Sequence, residues 1–368
     1  MSRKVNVGIV GCGSISDAYF NGSKKFDILN IVACADLDPA RAEAKAAKYG
    51  VRACATVAEL INDPEVEIVV NLTVPKAHVD VNLAALKAGK HAYCEKPFGL
   101  NPAESAKVIA LAKKKKLLVG SAPDTFLGGG IQTARKLVDD GAIGRPVAAL
   151  AFMMCHGHES WHPSPQFYYQ KGGGPMFDMG PYYLTALVNL LGPARRVTGS
   201  TAKTFRERLI TSQPLNGTKI PVETPTHLTG TVEFANGAIA TLVMSFDTWP
   251  YPLPTIILYG TDGTMEVPDP NSFGGPVKLR SADGKTYDEV AHTHTTDRGR
   301  GAGVADMAYS ILRRGRKHRA NGDLAQHVVE IMAAFEKAST TGKAVVLKTT
   351  CKRPAALPIG LAPNELDA

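Results

Sequence analysis

Three stretches of this 368-residue chain hold residue types that could do chemistry. The first is Gly11-Cys-Gly13-Ser14-Ile15-Ser16, preceded by a β-branched run and followed by a helical pattern. In that setting Gly11 permits a tight turn, and Gly13 lets backbone approach a pyrophosphate held at the helix N-terminus. Ser16 stands where a third glycine would allow the closest packing of helix on strand. Asp36 follows 20 residues after Ser16, at the end of the next strand-like run, where a carboxylate accepts the hydroxyls of a ribose diol. That carboxylate would repel a 2′-phosphate and Leu37 is its neighbour, so NAD is the expected cofactor. NADP is disfavoured, Arg41 being the nearby cation that speaks for it. The second stretch is Cys94-Glu95-Lys96-Pro97, directly after a strand-like run. Ligands of open α/β sheets bind outside the carboxyl ends of the strands, which aims Lys96 at a nicotinamide. A desolvated lysine gives up part of its charge and can donate or accept a proton. The third stretch runs His156-Gly-His158-Glu159-Ser-Trp161-His162 and on to Tyr169, polar and aromatic together. Aromatic faces stack on a sugar ring while His and Glu take its hydroxyls, so Glu159, Trp161 and His162 are candidate substrate contacts. His156, His158 and His162 are also zinc-ligand types. Their spacing matches no common zinc motif, and hydride transfer to NAD needs no metal, so no metal is expected. His292-x-His294 reads the same way.

Each stretch needs a frame to place it. Over the first 122 residues, strand-like runs at 5–10, 29–36, 67–73, 91–95 and 117–122 alternate with helical patterns. Asp38-Pro39 supplies an N-cap and first-turn proline for a helix over 40–49, which Gly50 ends. Thr56-Val-Ala-Glu59 is a capping box. A helix over 77–88 stops at Gly89, and Asn101-Pro102 opens another, whose Lys113–Lys116 end meets the favourable pole of the helix dipole. This alternation predicts an α/β fold, an N-terminal Rossmann doubly wound parallel sheet. Past Pro123 the pattern changes. Strand-like runs at 146–156, 226–234, 238–246, 255–260 and 265–267, with Asn236-Gly237 as a hairpin turn, mingle with helical patterns at 131–140, 182–191, 304–314 and 323–339. They predict a C-terminal α+β domain with a mainly antiparallel sheet. The expected domains are 1–123 and 124–368, the Pro-rich end after Lys352 wrapping the surface.

Composition narrows the function classes. With 42 Lys+Arg against 34 Asp+Glu the formal net charge is +8, which raises nucleic acid, an acidic surface or an anionic substrate as partners. The basic runs Lys113–Lys116 and Arg313–Arg319 fall at helix ends, where solvated, dipole-matched clusters are expected, and neither interleaves aromatics as a single-strand-binding surface does. No nucleic-acid partner is expected. Arg298 and Arg300, in a Gly-rich loop, are the residues that would reach an anionic substrate group. No apolar run approaches the roughly 18–20 residues that span a bilayer, so no membrane partner is expected. Six scattered cysteines without a Cys-x-x-Cys pair read as free thiols in a reduced, cytoplasmic protein.

The ordered set of motifs resembles the glucose–fructose oxidoreductase, inositol dehydrogenase and rhizopine catabolism (Gfo/Idh/MocA) family. It comprises Gly11-x-Gly13-x-Ile15-Ser16, Thr73-Val-Pro75 with His78 beyond it, Glu95-Lys96-Pro97, Gly141-Ala-Ile-Gly144 and Gly172-Gly-Gly-Pro-Met-Phe-Asp178-Met-Gly-Pro-Tyr182. The resemblance implies that Thr73, Pro75, His78 and Glu95 line the cofactor site and that Lys96 lies close to nicotinamide and substrate. It implies that Asp178 binds a sugar hydroxyl, and that the second domain is an open sheet whose outer face makes homo-oligomer contacts. Inositol dehydrogenase-like members carry His four residues after that Asp, as proton acceptor. Tyr182 stands there instead, as in glucose–fructose oxidoreductase-like members. If a helix begins near Asp178, positions i and i+4 share one face, and Pro181 falls in a first turn. A phenol with a pKa near ~10 is a poor base alone, so a neighbouring Lys96 cation must favour its phenolate. Lys96 and Tyr182 are therefore read as a coupled acid/base pair, with Asp178 orienting the alcohol. The resulting expectation is an NAD-dependent oxidoreductase acting on a sugar, polyol or glycoside hydroxyl. Two alternatives stand beside it. One is a tightly bound NAD used transiently in glycoside cleavage, epimerisation or sugar-to-sugar hydride exchange. The other is a non-enzymatic, dinucleotide-sensing regulator, against which the presence of Lys96 and Asp178 argues.

Overall fold

The computed structural model describes residues 3–249, 251–313 and 315–367, and the chain divides into two units. The first comprises Met1–Gln132, His292–Val329 and Pro354–Ala368; the second comprises Thr133–Ala291 and Glu330–Arg353. The expected single cut at residue 123 is thereby corrected, because two later segments return to the first unit. Buried arginines tie them there. Arg298 donates to the carbonyls of Leu127, Ala362 and Glu365 at 3.5, 3.4 and 2.9 Å. Arg319 pairs with the fully buried Asp306 at 2.6 Å and donates to the carbonyls of Ala355 and Leu366.

The first unit holds six parallel strands in the order β3-β2-β1-β4-β5-β6. They are β1 (Val5–Val10), β2 (Leu29–Ala35), β3 (Arg52–Ala53), β4 (Ile68–Asn71), β5 (His91–Cys94) and β6 (Val119–Ser121). Val5, Val7, Ile9, Val10, Ile68, Val69 and Val70 are each at most 1% exposed. Such continuous burial marks a sheet covered on both faces, and each of these side chains contributes about 1.5–3 kcal/mol. The chain reverses its direction of winding between β1 and β4, and the crevice at such a switch point is where α/β sheets bind ligands.

Local chemistry sets the helices. Helix α1 (Ser16–Ser23) follows the glycine turn; α2 (Pro39–Tyr49) starts at Asp38, whose carboxylate accepts the Ala40 N–H, and ends at Gly50 in the left-handed region. Helix α3 (Val57–Asn62) opens with Thr56 accepting from the Glu59 N–H, while the Glu59 carboxylate accepts the Ala55 N–H. Helices α4 (His78–Lys87) and α5 (Pro102–Lys115) complete the series; Asn101 caps the latter through the Glu104 N–H.

The second unit is built on nine strands in the order β16-β15-β14-β13-β7-β12-β11-β8-β17, with only β7 and β12 parallel. They are β7 (Pro146–Met154), β8 (Ala194–Ala202), β11 (His227–Phe234), β12 (Ile239–Ser245), β13 (Ile256–Gly260), β14 (Gly263–Val267), β15 (Val277–Ser281), β16 (Asp288–Val290) and β17 (Val345–Val346). A separate two-stranded ribbon joins β9 (Glu207–Leu209) to β10 (Lys219–Pro221). Ala149, Ala151, Met153, Ala240, Leu242 and Met244 are buried on one face, while Leu150, Phe152, Thr241 and Val243 on the other are half-buried. The expected hairpin joins β11 to β12 at Asn236-Gly237, with Gly237 at φ +92°. Helix α6 (Gly129–Asp139) is divided between the units, as is α9 (Gly322–Thr341); α7 (Gly174–Leu191) lies in the second and α8 (Ala302–Leu312) in the first. Among the described residues no helix is long and apolar enough to cross a membrane. Every cysteine is a free thiol.

Two basic-residue expectations are corrected. Arg316 and Arg319 are not a solvated cluster, because both clamp Asp306, Arg316 at 2.5 Å; Arg314 of that run lies outside the described residues. Arg298 and Arg300 do not reach toward a ligand. Arg298 is spent on main-chain carbonyls, and Arg300 pairs with buried Asp124 at 3.4 Å.

Candidate active site

The dinucleotide turn is shaped by where side chains cannot go. Gly11 has φ +101°, and a Cβ there would lie 2.7 Å from the carbonyl carbon and oxygen of Leu72. At Gly13 a Cβ would meet nothing within 4 Å, so the backbone faces open space. The Ser16 hydroxyl donates to the Gly13 carbonyl at 2.6 Å, so the residue that departs from glycine braces the turn. Ser14 and Ile15 are exposed, and α1 begins without a side-chain cap, leaving its dipole and first-turn N–H groups for an anion. Half-buried Asp36 accepts the Cys12 N–H at 2.6 Å and the Asp38 N–H at 3.0 Å, one on each oxygen. A carboxylate has about four acceptor positions, so two stay open for a diol. Open space at Gly13, an uncapped helix and an anchored carboxylate together fit a dinucleotide.

The remaining first-unit residues form two braced loops. Asn71 Oδ1 accepts from both the N–H and hydroxyl of Thr73, at 3.2 and 2.7 Å, and its amide donates to the His78 carbonyl at 2.9 Å. His78 is buried. Its Nδ1 lies 2.8 Å from the Pro97 carbonyl and its Nε2 2.9 Å from that of Thr73, which joins the Thr73–Pro75 loop to the Lys96 loop. Burial pushes this imidazole below its ordinary pKa. Pro75 opens a single 3-10 turn, Glu95 is buried, and Lys96 is half-buried.

On the second unit, α7 begins at Gly174 rather than near Asp178, so Pro181 lies in the helix interior. Of the glycine run only Gly174 enters the helix, Gly173 being its N-cap, and Gly174 has φ +78° and packs against the Pro225 carbonyl. Asp178 and Tyr182 share one face as i and i+4; Tyr182 is 5% exposed. His158 Nε2 sits 3.4 Å from Asp178 Oδ2, and its ring packs against Trp161, Tyr168 and Phe246 at centroid distances of 5.3, 4.2 and 4.6 Å. His162 neighbours Trp161 and Tyr168, and its Nδ1 accepts the Ser164 N–H; burial foremost pushes its pKa down. Trp161 is 59% exposed, a platform open to a ring. Glu159 is a buried anchor. Its carboxylate takes Arg208 Nε at 2.7 Å and the Tyr169 hydroxyl, and Arg208 also pairs with Asp247 at 3.0 Å.

The sequence reading missed His158 as the partner of Asp178, along with Asn71 and Tyr19. Among these, His158 carried a signal, being in the His-rich stretch; Asn71 and Tyr19 read as ordinary strand and helix residues. Among the described residues, no group of three or more His, Cys, Asp or Glu is placed to hold a metal.

The fold and this distribution of side chains define a dinucleotide-binding unit followed by an α+β unit carrying a polar, aromatic cluster. Residues 5–122 match the model of an oxidoreductase family with an NAD-binding Rossmann fold, and residues 131–266 match the GFO/IDH/MocA C-terminal domain. Together the matches span more than half of the chain, which belongs to the Gfo/Idh/MocA family. An inositol 2-dehydrogenase/D-chiro-inositol 3-dehydrogenase from Lactiplantibacillus plantarum is 35% identical over 151 residues, 38% of this chain and 41% of the relative. The chain spans 41% to 52% of the length of the first curated relatives it matches. A levoglucosan dehydrogenase solved with NADH and L-sorbose superposes with a TM-score of 0.81 at 20% identity, covering 95% of this chain and 100% of that one. An aldose-aldose oxidoreductase from Caulobacter crescentus, solved with glycerol, gives 0.77 at 22%, covering 94% and 100%. At these identities the likeness is one of fold.

Proposed function

We propose that the chain is an NAD-dependent oxidoreductase that moves a hydride between a hydroxyl-bearing carbon of a sugar, polyol or glycoside and nicotinamide. The observation that carries it is the dinucleotide turn, with open space at Gly13 and the Asp36 carboxylate pinned by the Cys12 and Asp38 N–H groups. NAD, when bound, supplies the hydride acceptor. Everything else falls to the protein. Gly11, Gly13, Ser14, Ile15 and Ser16 receive the pyrophosphate, and Asp36 takes the ribose diol. Thr73, Pro75, His78 and Glu95 hold the loops around Lys96. Asp178, oriented by His158, accepts a substrate hydroxyl, and Lys96 and Tyr182 handle its proton as one coupled system. Trp161 and His162 offer stacking and hydrogen bonding to a sugar ring. The outer face of the nine-stranded sheet is the proposed contact between copies, tested by molar mass in solution.

The test is NADH formation from a panel of sugars, polyols and glycosides by wild type, Lys96→Ala and Tyr182→Phe. Turnover by wild type and its loss in Lys96→Ala is expected; equal turnover by the two removes Lys96 from the chemistry. Tyr182, standing where inositol dehydrogenase-like members carry His, favours a second reading, sugar-to-sugar hydride exchange on retained NAD. NAD that survives gel filtration, with no net NADH release, would select it.

A further inference from the structure

Tyr19 lies on α1, the helix that leaves the dinucleotide turn, and is fully buried. Its hydroxyl donates to Glu95 Oε1 at 2.8 Å, and the other Glu95 oxygen accepts the Lys96 N–H at 2.9 Å. One buried carboxylate thus joins the cofactor helix to the backbone of the proposed proton-handling lysine. Its surroundings are strongly polar. Tyr93 on β5 is fully buried, and its hydroxyl has no hydrogen-bond partner among the described residues. Asp124, after β6, accepts the Gly301 and Gly303 N–H groups at 3.0 and 3.1 Å and pairs with Arg300. His78, at the start of α4, stands close enough to feel both Glu95 and Lys96. Two carboxylates, Glu95 and Asp124, therefore share a neighbourhood with Arg300, which pairs with Asp124. A carboxylate buried this way requires hydrogen-bond donors, and Tyr19 and the Lys96 N–H supply one to each oxygen of Glu95.

We propose that Tyr19 is a positioning residue for the reaction, acting through Glu95 to fix the backbone of Lys96 and to keep a negative charge beside it. The inference rests on the oxidoreductase reading for its chemistry, and on the Tyr19–Glu95–Lys96 geometry alone for its coupling. Removing the hydroxyl leaves the ring in place but takes one donor from Glu95. The carboxylate is then free to turn away from the Lys96 N–H, and the Lys96 ammonium, losing part of a favourable neighbouring charge, gives up its proton more readily.

The experiment reads Lys96 directly. The pH dependence of its acetylation by acetic anhydride, followed by peptide mass spectrometry on the full-length protein, is compared for wild type, Tyr19→Phe, Glu95→Gln and the double variant. Tyr19→Phe is expected to shift the Lys96 titration to lower pH by about half to one unit and, on a turned-over sugar, to lower kcat about 10-fold with KM for NAD nearly unchanged. Glu95→Gln should move Lys96 in the same direction. The double variant should be no worse than Glu95→Gln alone, the non-additivity of residues acting in series. An unshifted Lys96 titration in Tyr19→Phe, or additive effects in the double variant, overturns the inference, as does a kcat loss that only tracks a lowered melting temperature. If wild type turns over no sugar while the shift and non-additivity persist, the coupling stands and the oxidoreductase reading fails.

Discussion

Gly11 and Gly13, two residues apart, separate folding from binding. At Gly11 an added methyl meets the Leu72 carbonyl carbon and oxygen at 2.7 Å and the Thr73 N at 3.0 Å, and all three are backbone atoms that cannot swing away. The φ of +101° adds strain for any L side chain. Left-handed backbone costs roughly 1–2 kcal/mol and overpacking roughly 1–3 kcal/mol, so Gly11→Ala should cost about 2–5 kcal/mol. At about 2–4 °C per kcal/mol, the melting temperature should fall by roughly 5–20 °C. Gly13→Ala is the opposite case, since its methyl touches no atom within 4 Å. Its melting temperature should stay within about 2 °C of wild type, an exposed change costing at most about 0.5 kcal/mol. The methyl would nonetheless stand where backbone must approach a pyrophosphate, and displacing that contact by about 1.4 kcal/mol weakens NAD about tenfold. Thermal melts without ligand, paired with calorimetric titration of NAD, separate the two effects. Wild-type NAD affinity in Gly13→Ala would falsify the placement of the pyrophosphate. A wild-type melt for Gly11→Ala would refute the steric argument.

Three further outcomes are expected. Asp36→Asn should weaken NAD about tenfold and narrow the preference over NADP, since the charge that repels a 2′-phosphate is gone; parallel titrations of both cofactors check it, and an unchanged ratio counts against the ribose assignment. His91 accepts the Leu118 N–H on Nδ1 at 2.9 Å, and burial, helped by nearby His318, pushes its pKa down to about 4. The unfolded imidazole takes up a proton below about pH 6.5 while the folded one resists until near 4. Stability is therefore full above that window and lost as pH falls through it, by about 3 kcal/mol. Urea midpoints measured across it should slope for wild type and flatten for His91→Asn; parallel curves refute the assignment. Arg208→Met strips the cation from buried Glu159 and Asp247, and leaving such charges unpaired costs about 3–5 kcal/mol. Its melting temperature should drop by roughly 6–20 °C, and a drop under a degree would show the carboxylates to be satisfied by other donors.

Much of the first unit was legible because its signals are local. Asp38-Pro39 with Gly50, Thr56 with Glu59 and Asn101-Pro102 each act within one or two turns of chain, and each helix starts where its cap stands. The glycine turn and Asp36 were equally readable, since one strand and one helix fix their spacing. Strand β3 left no trace because two residues, Arg52 and Ala53, cannot display an alternation. The start of α7 was misread because Gly172-Gly-Gly174 has the composition of a loop, while the helix begins at its last glycine, four residues before Asp178. Glu159 illustrates the harder limit. Its type suits a sugar hydroxyl, and the partner that claims it, Arg208, lies 49 residues away.

The positive charge makes the same point energetically. A surplus of +8 suggests an external anion when counted from composition. In the folded chain Arg208, Arg298 and Arg319 are 5%, 4% and 7% exposed. Among the described residues Arg298 has main-chain carbonyls, not carboxylates, as its hydrogen-bond partners; three of them take its guanidinium, and burial lowers its pKa to about 10. A cation used in this way adds to the formal charge while its donors face main-chain carbonyls rather than an external anion. Its two terminal nitrogens satisfy the carbonyls of Leu127, Ala362 and Glu365, which would otherwise be buried unpaired at about 1–3 kcal/mol each. Part of the basic excess is therefore the means by which residues 292–329 and 354–368 rejoin the dinucleotide-binding unit. Lysine, with a compact charge and three donors on one nitrogen, could not bridge the carbonyls of Leu127, Ala362 and Glu365 at once.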